Sequence, residues 1–182
     1  MTAADDSLSG LLREIENHVA AGGWDQGARL FALVPTRELL AREPGLASLL
    51  GIDHGGGPGA VGAASMPMTP VEQEELPDYA SLEELLMGLA WPSDVAGAAL
   101  VVERVVLPPE VEAELPSDEA QALAVLSTHP LRQDVRLAVA ALRGGGRCAA
   151  MRFRLHDDPV AVLTGADLVP GLTEALASTL ED

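Results

Sequence analysis

The sequence predicts an α+β fold in which one antiparallel, or mostly antiparallel, sheet of about 4–5 strands has helices packed against it. Apolar residues make up 48% of the 182 residues and aromatic residues only 3%, which indicates a sizeable but aliphatic core. The predicted helices and strands follow one another in an order that is neither all-β nor a regular βαβ alternation. A glycine-linked hairpin late in the chain also requires antiparallel pairing.

The helices are predicted from apolar periodicity and capping residues. In residues 7–21, Leu, Ile and Val recur at helical spacing, and two glycines then end the helix. Ser81 and Glu84 form an S-x-x-E capping box at the start of a leucine-rich helix. The remaining predicted helices are a short one at 36–41 with a further turn at 45–50, one at 117–128, and a last one from about Asp167 to Leu180.

Strands are predicted where β-branched and apolar residues lie between turn signals. Residues 28–34 form the first, which Pro35 ends, and residues 98–107 form the most apolar one. Because both faces of the second are apolar, we expect it at the centre of the sheet. Residues 135–142 and 148–155 form the hairpin around a triple glycine, which supplies the positive φ of a tight reversal.

Alternation along the hairpin predicts what each of its faces carries. Its odd positions are apolar and should face the core, whereas Arg136, Arg152 and Arg154 occupy even positions and should project together on the other side. If Arg143 pairs with Arg147 across the glycines, Arg136 lies opposite Arg154. We therefore expect the guanidinium groups outside the core, on one basic sheet face.

The charge of the chain is unevenly distributed. The net charge is −17 and the chain has no lysine, yet six of its eleven arginines lie in residues 132–154 beside a single acid. This window carries +5 and the remainder −22. So acidic a protein repels nucleic acid and anionic membranes, and the basic window lacks exposed aromatics for base stacking. We expect neither nucleic acid nor membrane as a partner.

Three interpretations of the basic face remain open. Acids of the same chain, such as Glu103 on the adjoining strand, could neutralise the arginines. An acidic helix or tail of a protein partner, or of a second copy in a homodimer, could dock there, because the guanidinium fork binds carboxylates in bidentate fashion. We predict the second case, a non-enzymatic, chaperone-like or adaptor-like module with Arg136, Arg152 and Arg154 as partner-binding residues. The third is a small-molecule or anion-binding sensor that uses the same arginines.

No motif predicts a catalytic, cofactor or metal site. The single cysteine, Cys148, has no partners for a zinc or iron–sulfur site, and the four histidines lie far apart in the sequence. Neither of the two glycine runs, residues 55–57 and 144–146, is followed by the Lys-Ser/Thr of a nucleotide-binding loop. An enzyme of unrecognised type is the second alternative, with His156 and Asp157 as its acid–base candidates.

Composition also predicts domain organisation and location. We expect one domain over residues 1–182 with a flexible Gly/Ala/Pro-rich insertion at 52–78, where no periodicity survives. The N-terminal residues do not resemble a signal peptide, and no apolar stretch is long enough to cross a bilayer. Together with the single cysteine, this predicts a cytoplasmic protein.

Three segments carry a resemblance to a known family. They are Gly23-Trp24-Asp25-Gln26 leading into residues 29–34, Ala90-Trp91-Pro92 leading into 100–104, and His156-Asp157-Asp158 together with 167–172. They resemble a family of small conserved uncharacterised proteins from high-GC actinobacteria, over nearly the whole chain except the Gly/Ala/Pro-rich insertion. The resemblance implies no activity. In size, charge and element order the chain is also loosely similar to the secretion-chaperone-like α+β fold, whose members dimerise and hold a segment of another protein.

Overall fold

A computed structural model describes residues 3–43, 45 and 67–181 of the chain. These residues contain one open antiparallel sheet of six strands in the order β2-β1-β3-β4-β5-β6. The strands are β1 Arg29–Pro35, β2 Met68–Glu72, β3 Gly97–Val106, β4 Gln133–Leu142, β5 Arg147–Phe153 and β6 Leu163–Gly165. The α+β class and the antiparallel sheet are confirmed, and β3 is a central strand as expected.

Six helices accompany the sheet within the described part of the chain. They are α1 Ala3–Ala20, α2 Thr36–Arg42, α3 Leu82–Met87, α4 Pro109–Glu112, α5 Glu119–Thr128 and α6 Pro170–Ser178. Two 3₁₀ turns, Arg154–His156 and Pro159–Ala161, connect β5 to β6. Only α4 lacks a counterpart among the predicted helices. The further turn predicted at 45–50 lies, apart from Gly45, outside the described residues.

The sheet has six strands rather than the predicted four to five because two short edge strands were missed. Strand β2 falls inside the insertion predicted at 52–78 and contains Pro70, which is tolerated because β2 lies at the edge of the sheet. Strand β6 has three residues, too few to show a period. The first part of the predicted insertion, residues 52–66, lies outside the described residues.

Both faces of the sheet are covered. On one face, the apolar stripe of α1 packs against the even positions of β4 and β5, where small residues let the helix approach closely. This core contains Leu8, Leu12, Ile15 and Val19 of the helix and Ala138, Ala140, Cys148 and Ala150 of the strands. The expectation that the even positions lie outside the core is therefore wrong.

Helices α3 and α6 cover the opposite face. Val135, Leu137 and Val139 of β4 lie in this second core together with Leu176 and Leu180. The odd positions of the hairpin face the core as predicted up to Phe153. Strand β5 then ends in a 3₁₀ turn, which leaves Leu155 exposed.

The hairpin turn lies one residue earlier in the chain than expected. The amide of Leu142 donates to the carbonyl of Gly146 over 2.9 Å, and Gly145 takes a φ of +94°, which glycine adopts without a steric penalty. Consequently Arg136 lies opposite Arg152 and not opposite Arg154. A shift of two residues preserves the faces, so Arg136 and Arg152 share one, as alternation predicts.

Candidate functional site

Strands β4 and β5 bring Arg136 and Arg152 together beneath α1. Arg136 is fully buried, and Arg152 is only 2% exposed. The prediction that these two guanidinium groups project out of the fold is wrong, because α1 covers the face on which they lie. Both arginines pair with acids of the same chain, Glu103 and Glu16, as in the first of the three interpretations of the basic face.

Glu16 of α1 is the shared counterion of the two buried arginines. Its carboxylate accepts two hydrogen bonds from Arg152, over 2.7 Å from Nε and 2.5 Å from Nη2. The Nη1 atom of Arg136 lies 3.6 Å from the same carboxylate, and Asn17 Oδ1 accepts a further bond of 2.8 Å from Arg152. The hydrogen bond to Glu16 raises the pKa of Arg152 above its ordinary value, so the Arg152 guanidinium remains charged.

Arg136 connects the sheet to the loop between α1 and β1. Its Nη2 donates to Glu103 Oε1 over 2.8 Å and also to the carbonyl of Gly23, while its guanidinium carbon lies 4.3 Å from the centre of the Trp24 ring. Such stacking is a cation–π contact. The Nε and Nη1 atoms of Arg136 make no hydrogen bond within the described residues.

The other oxygen of Glu103 fixes the conformation of the same loop. Glu103 Oε2 accepts from the amide of Asp25 over 2.7 Å and from that of Gln26 over 3.3 Å. Asp25 has a φ of +66°, a left-handed conformation that Asp tolerates better than most residues. One carboxylate therefore binds both a buried arginine and the backbone of a strained turn.

Arg154, the third predicted residue, lies in the first 3₁₀ turn and is exposed. It forms a bidentate pair with Asp25, with both N–O distances 2.9 Å. Hydrogen bonding from Arg154 lowers the pKa of Asp25. A partner-binding role for Arg136, Arg152 and Arg154 stays a prediction, and of the three only Arg154 reaches the surface.

Asp157 completes what we call the arginine cluster. The cluster comprises Glu16, Asn17, Trp24, Asp25, Glu103, Arg136, Arg152, Arg154 and Asp157. Asp157 accepts from the Trp24 indole N–H over 2.9 Å and from Arg152 over 3.3 Å. The indole hydrogen bond and then the charge of Arg152 lower the pKa of Asp157, although burial opposes the shift.

The chemistry of the cluster is that of a structural network. Asp157 is held as an anion by two donors, which does not suit a general acid or base near neutral pH. His156 is exposed and lines a separate small cavity of about 150 Å³ with Phe153 and Leu155. Among the described residues, no three His, Cys, Asp or Glu side chains are placed to hold a metal ion.

Glu16 is the central residue that sequence reasoning missed, and a signal for it exists. It continues the series Leu8, Leu12, Glu16 at intervals of four, so it lies on the buried face of α1. A carboxylate on the apolar stripe of a helix, with arginines at even positions of a nearby hairpin, predicts a buried ion pair.

Two apolar surfaces lie away from the arginine cluster. Helix α5 has no buried residue, and Leu123 and nearby Leu131 are exposed. A groove of about 530 Å³ runs between α3 and α6, where Met87 is 82% exposed. Apolar surface left open in this way is typical of protein interaction sites.

Comparisons with known proteins give a family but no function. No curated protein and no solved structure matches the chain. In the described part of the chain, every helix is too short or too polar to cross a bilayer. The predictions of a cytoplasmic location and of no nucleic-acid or membrane partner remain untested.

One family model, described as PPA1309-like protein, matches residues 8–181. The match confirms the expectation of one conserved family along nearly the whole chain. The actinobacterial origin and the looser similarity to secretion chaperones stay predictions. Because the model covers far more than half of the sequence, the chain belongs to the PPA1309-like protein family.

Proposed function

We propose that the protein is a non-enzymatic protein-binding module whose contact surface includes α5. The observation that supports this proposal is the composition of α5 set against its burial. Six of its ten residues are Ala, Leu or Val, and none of the ten is buried. An apolar helix of a folded domain is normally covered, so an uncovered one indicates a surface for a partner.

Local hydrogen bonds help to hold α5 in shape, because none of its side chains is fully buried. The side chain of Asp118 caps its start by accepting from the amide of Gln121 over 3.0 Å. At its end, Arg132 Nη1 donates to the carbonyl of Ser127 over 2.7 Å. A capping bond is worth about 1 kcal/mol, which supports a short helix without burial of its side chains. The apolar side chains are thereby presented to solvent in a defined geometry.

The exposed side chains offer a substantial gain on binding. Leu123 is 57% exposed and Val125 38%, and Leu131, shortly after the helix, is 53% exposed. Complete burial of one exposed Leu or Val is worth about 1.5–3 kcal/mol. A partner that covers these three side chains gains enough to offset part of the entropic cost of association.

Charge favours a different protein over a second copy. Residues 105–131 contain five acids and no arginine. In a homodimer formed through this segment, the two acidic segments would face each other and repel. A neutral or basic partner avoids the repulsion, and self-association is the competing outcome of the experiment below.

The ion pairs of the arginine cluster count against the two alternatives. An anion that binds Arg136 or Arg152 would have to displace Glu16 or Glu103 from a buried pair, and a buried carboxylate without its partner is costly. For the enzyme alternative, Asp157 is bonded to Trp24 and Arg152, while His156 lines another cavity.

Site-specific photocrosslinking tests the proposal. p-Benzoylphenylalanine replaces Leu123 in one variant and Val160, an 86% exposed apolar residue of the second 3₁₀ turn, in the control. We expect a discrete adduct in native cells from position 123 and none of that mass from position 160. The partner identified from the adduct, once purified, should bind Val125→Glu about tenfold more weakly but bind Val160→Glu unchanged.

Adducts that do not depend on the position of the probe would contradict the proposal. So would equal binding of the purified partner to Val125→Glu and to the parent. An adduct of twice the chain mass, together with light scattering that shows a dimer, would replace the partner by a second copy.

A further inference from the structure

The groove between α3 and α6 is a second apolar surface that the proposed function does not use. It has a volume of about 530 Å³ and is lined by Glu83, Leu86, Met87 and Leu89 on the α3 side and by Ala175, Ser178, Thr179 and Glu181 on the α6 side. Its size is within the range of small-molecule and peptide sites.

The apolar side chains of the groove suit an aliphatic anchor. Leu86 is buried and Leu89 half-buried, so they offer apolar walls of fixed position. Met87 lies beside them and is 82% exposed. An exposed methionine is unbranched and polarisable, and it adapts to side chains of different shape, as it does in other peptide-binding grooves.

Among the described residues that line the groove, the only charged side chains are acidic. Glu83 and Glu181 are among its lining residues, which include no arginine or histidine. Within the described part of the chain, neither carboxylate forms a salt bridge, whereas those of the arginine cluster are all paired. A positively charged group bound beside the apolar walls would therefore meet carboxylates that are not already neutralised.

Hydrogen bonds hold the two sides of the groove in fixed positions. Arg143 of the hairpin turn donates from Nε to the carbonyl of Val95 over 2.9 Å and from Nη2 to that of Trp91 over 3.1 Å, and it also bonds the carbonyl of Leu180. The Trp91 indole N–H donates to Thr179 Oγ1 over 3.0 Å. These bonds fix the end of α6 against the segment that follows α3. Such a preformed groove loses little entropy when it is occupied.

We infer that this groove binds a basic segment of another protein, with a Leu or Met side chain between the helices and Lys or Arg beside Glu83 and Glu181. A second copy of the chain is a poor occupant, because each copy carries a net charge of −17 and has no lysine. The inference does not depend on the role of α5.

Methionine-methyl NMR is a direct test, because Met87 lies in the groove. The protein labelled with ¹³C-methyl methionine is titrated with a synthetic amphipathic Leu/Lys helix. We expect a saturable shift of the Met87 methyl signal, while Met68, on the distant edge strand β2, stays unchanged. A Ser/Lys peptide of equal charge controls for nonspecific attraction to the acidic chain, and a Leu/Glu peptide controls for apolar binding alone.

Substitutions then localise the binding. Ala175→Arg places a positive charge at an exposed position of the groove and should weaken Leu/Lys binding about tenfold. Glu83→Gln with Glu181→Gln removes the carboxylates without adding bulk and should also weaken binding of the Leu/Lys peptide. The matched control is Val160→Arg, which makes a similar change at an exposed position outside both surfaces and should leave the Met87 titration unaltered.

Three results would overturn the inference. They are equal Met87 shifts with the Ser/Lys or Leu/Glu peptide, unchanged affinity in the Glu83→Gln/Glu181→Gln variant, and equal weakening by Val160→Arg. If Ala175→Arg fails to fold, the affinity of the Glu83→Gln/Glu181→Gln variant for the Leu/Lys peptide tests the inference instead. Failure here leaves the crosslinks at position 123 unaffected, so the two proposals fail separately.

Discussion

The arginine cluster and helix α5 both reverse the usual pattern of burial: the cluster buries charged side chains, and α5 exposes apolar ones. In the cluster, Arg136 and Glu16 are fully buried, whereas Leu123 of α5 is largely exposed. Buried ion pairs seldom add net stability compared with apolar residues of the same shape, and exposed leucines forgo a hydrophobic gain. The comparison teaches that Arg136 and Arg152 of the basic window are used inside the fold, whereas apolar side chains of α5 are left exposed.

Helices α1 and α5 show the same contrast in one element type. Helix α1 buries Leu8, Leu12, Ile15 and Val19 against the sheet. In α5, by contrast, no residue is fully buried. Stability should therefore respond to changes in α1 and hardly at all to changes in α5. Three predictions would break or sharpen this comparison.

Loss of the shared counterion should have the largest effect. Glu16→Gln keeps the shape of the side chain but leaves Arg152 and Arg136 buried without its charge. We expect the free energy of unfolding in urea to fall by about 3–5 kcal/mol, the usual cost of breaking a buried ion pair.

A compensating variant distinguishes a structural pair from a functional one. Glu16→Leu with Arg152→Met replaces charge by apolar volume and should recover most of the lost stability. A single Glu16→Gln change that costs less than about 1 kcal/mol would show that the arginines are solvated, as exposed ion pairs are.

Identical Leu-to-Ala substitutions in the two helices compare them directly. Leu12→Ala removes a fully buried side chain from the core under α1 and should cost about 2–5 kcal/mol in urea unfolding. Leu123→Ala should stay within about 0.5 kcal/mol, as surface substitutions usually do. Similar losses in the two variants would mean that α5 packs against the rest of the chain.

Acid should weaken the cluster, with a smaller effect because Asp157 is 47% exposed. Hydrogen bonding from Trp24 and the charge of Arg152 lower the pKa of Asp157 below its ordinary value of 3.8. Its contribution is therefore present above the pKa of the unfolded chain and is lost as the pH falls through the lower pKa of the folded state.

The pH dependence of two variants checks this contribution. Urea unfolding between about pH 6 and pH 3 should show a shallower loss of stability for Asp157→Asn than for the parent. Trp24→Phe, which removes the indole donor, should likewise show a shallower loss of stability than the parent. If both variants follow the parent curve, the link between Trp24 and Asp157 contributes nothing to folding.

The sequence predicts much of the fold because its signals are periodic. The stripe of α1, the odd positions of β4 and the shared face of Arg136 and Arg152 all follow from helical or strand periods. The edge strands β2 and β6 escaped because a proline and a length of three residues hide the alternation. The register was missed because a triple glycine permits more than one position of the turn.

The site was harder to predict than the fold. Whether a polar strand face is open or covered depends on another element, and here α1 covers it. The small residues at even positions, Ala138, Ala140, Cys148 and Ala150, are the sign that a helix approaches closely. The exposure of α5 has no such signal, because apolar composition normally predicts burial.

Arginine modification by phenylglyoxal, followed by mass spectrometry, tests the central claim most directly. In the native protein, Arg136 and Arg152 should remain unmodified while the exposed Arg147 of the same hairpin and Arg13 of α1 react; in urea all four should react. Modification of Arg136 and Arg152 at the rate of Arg147 under native conditions would contradict the account and restore an open basic face as the contact surface.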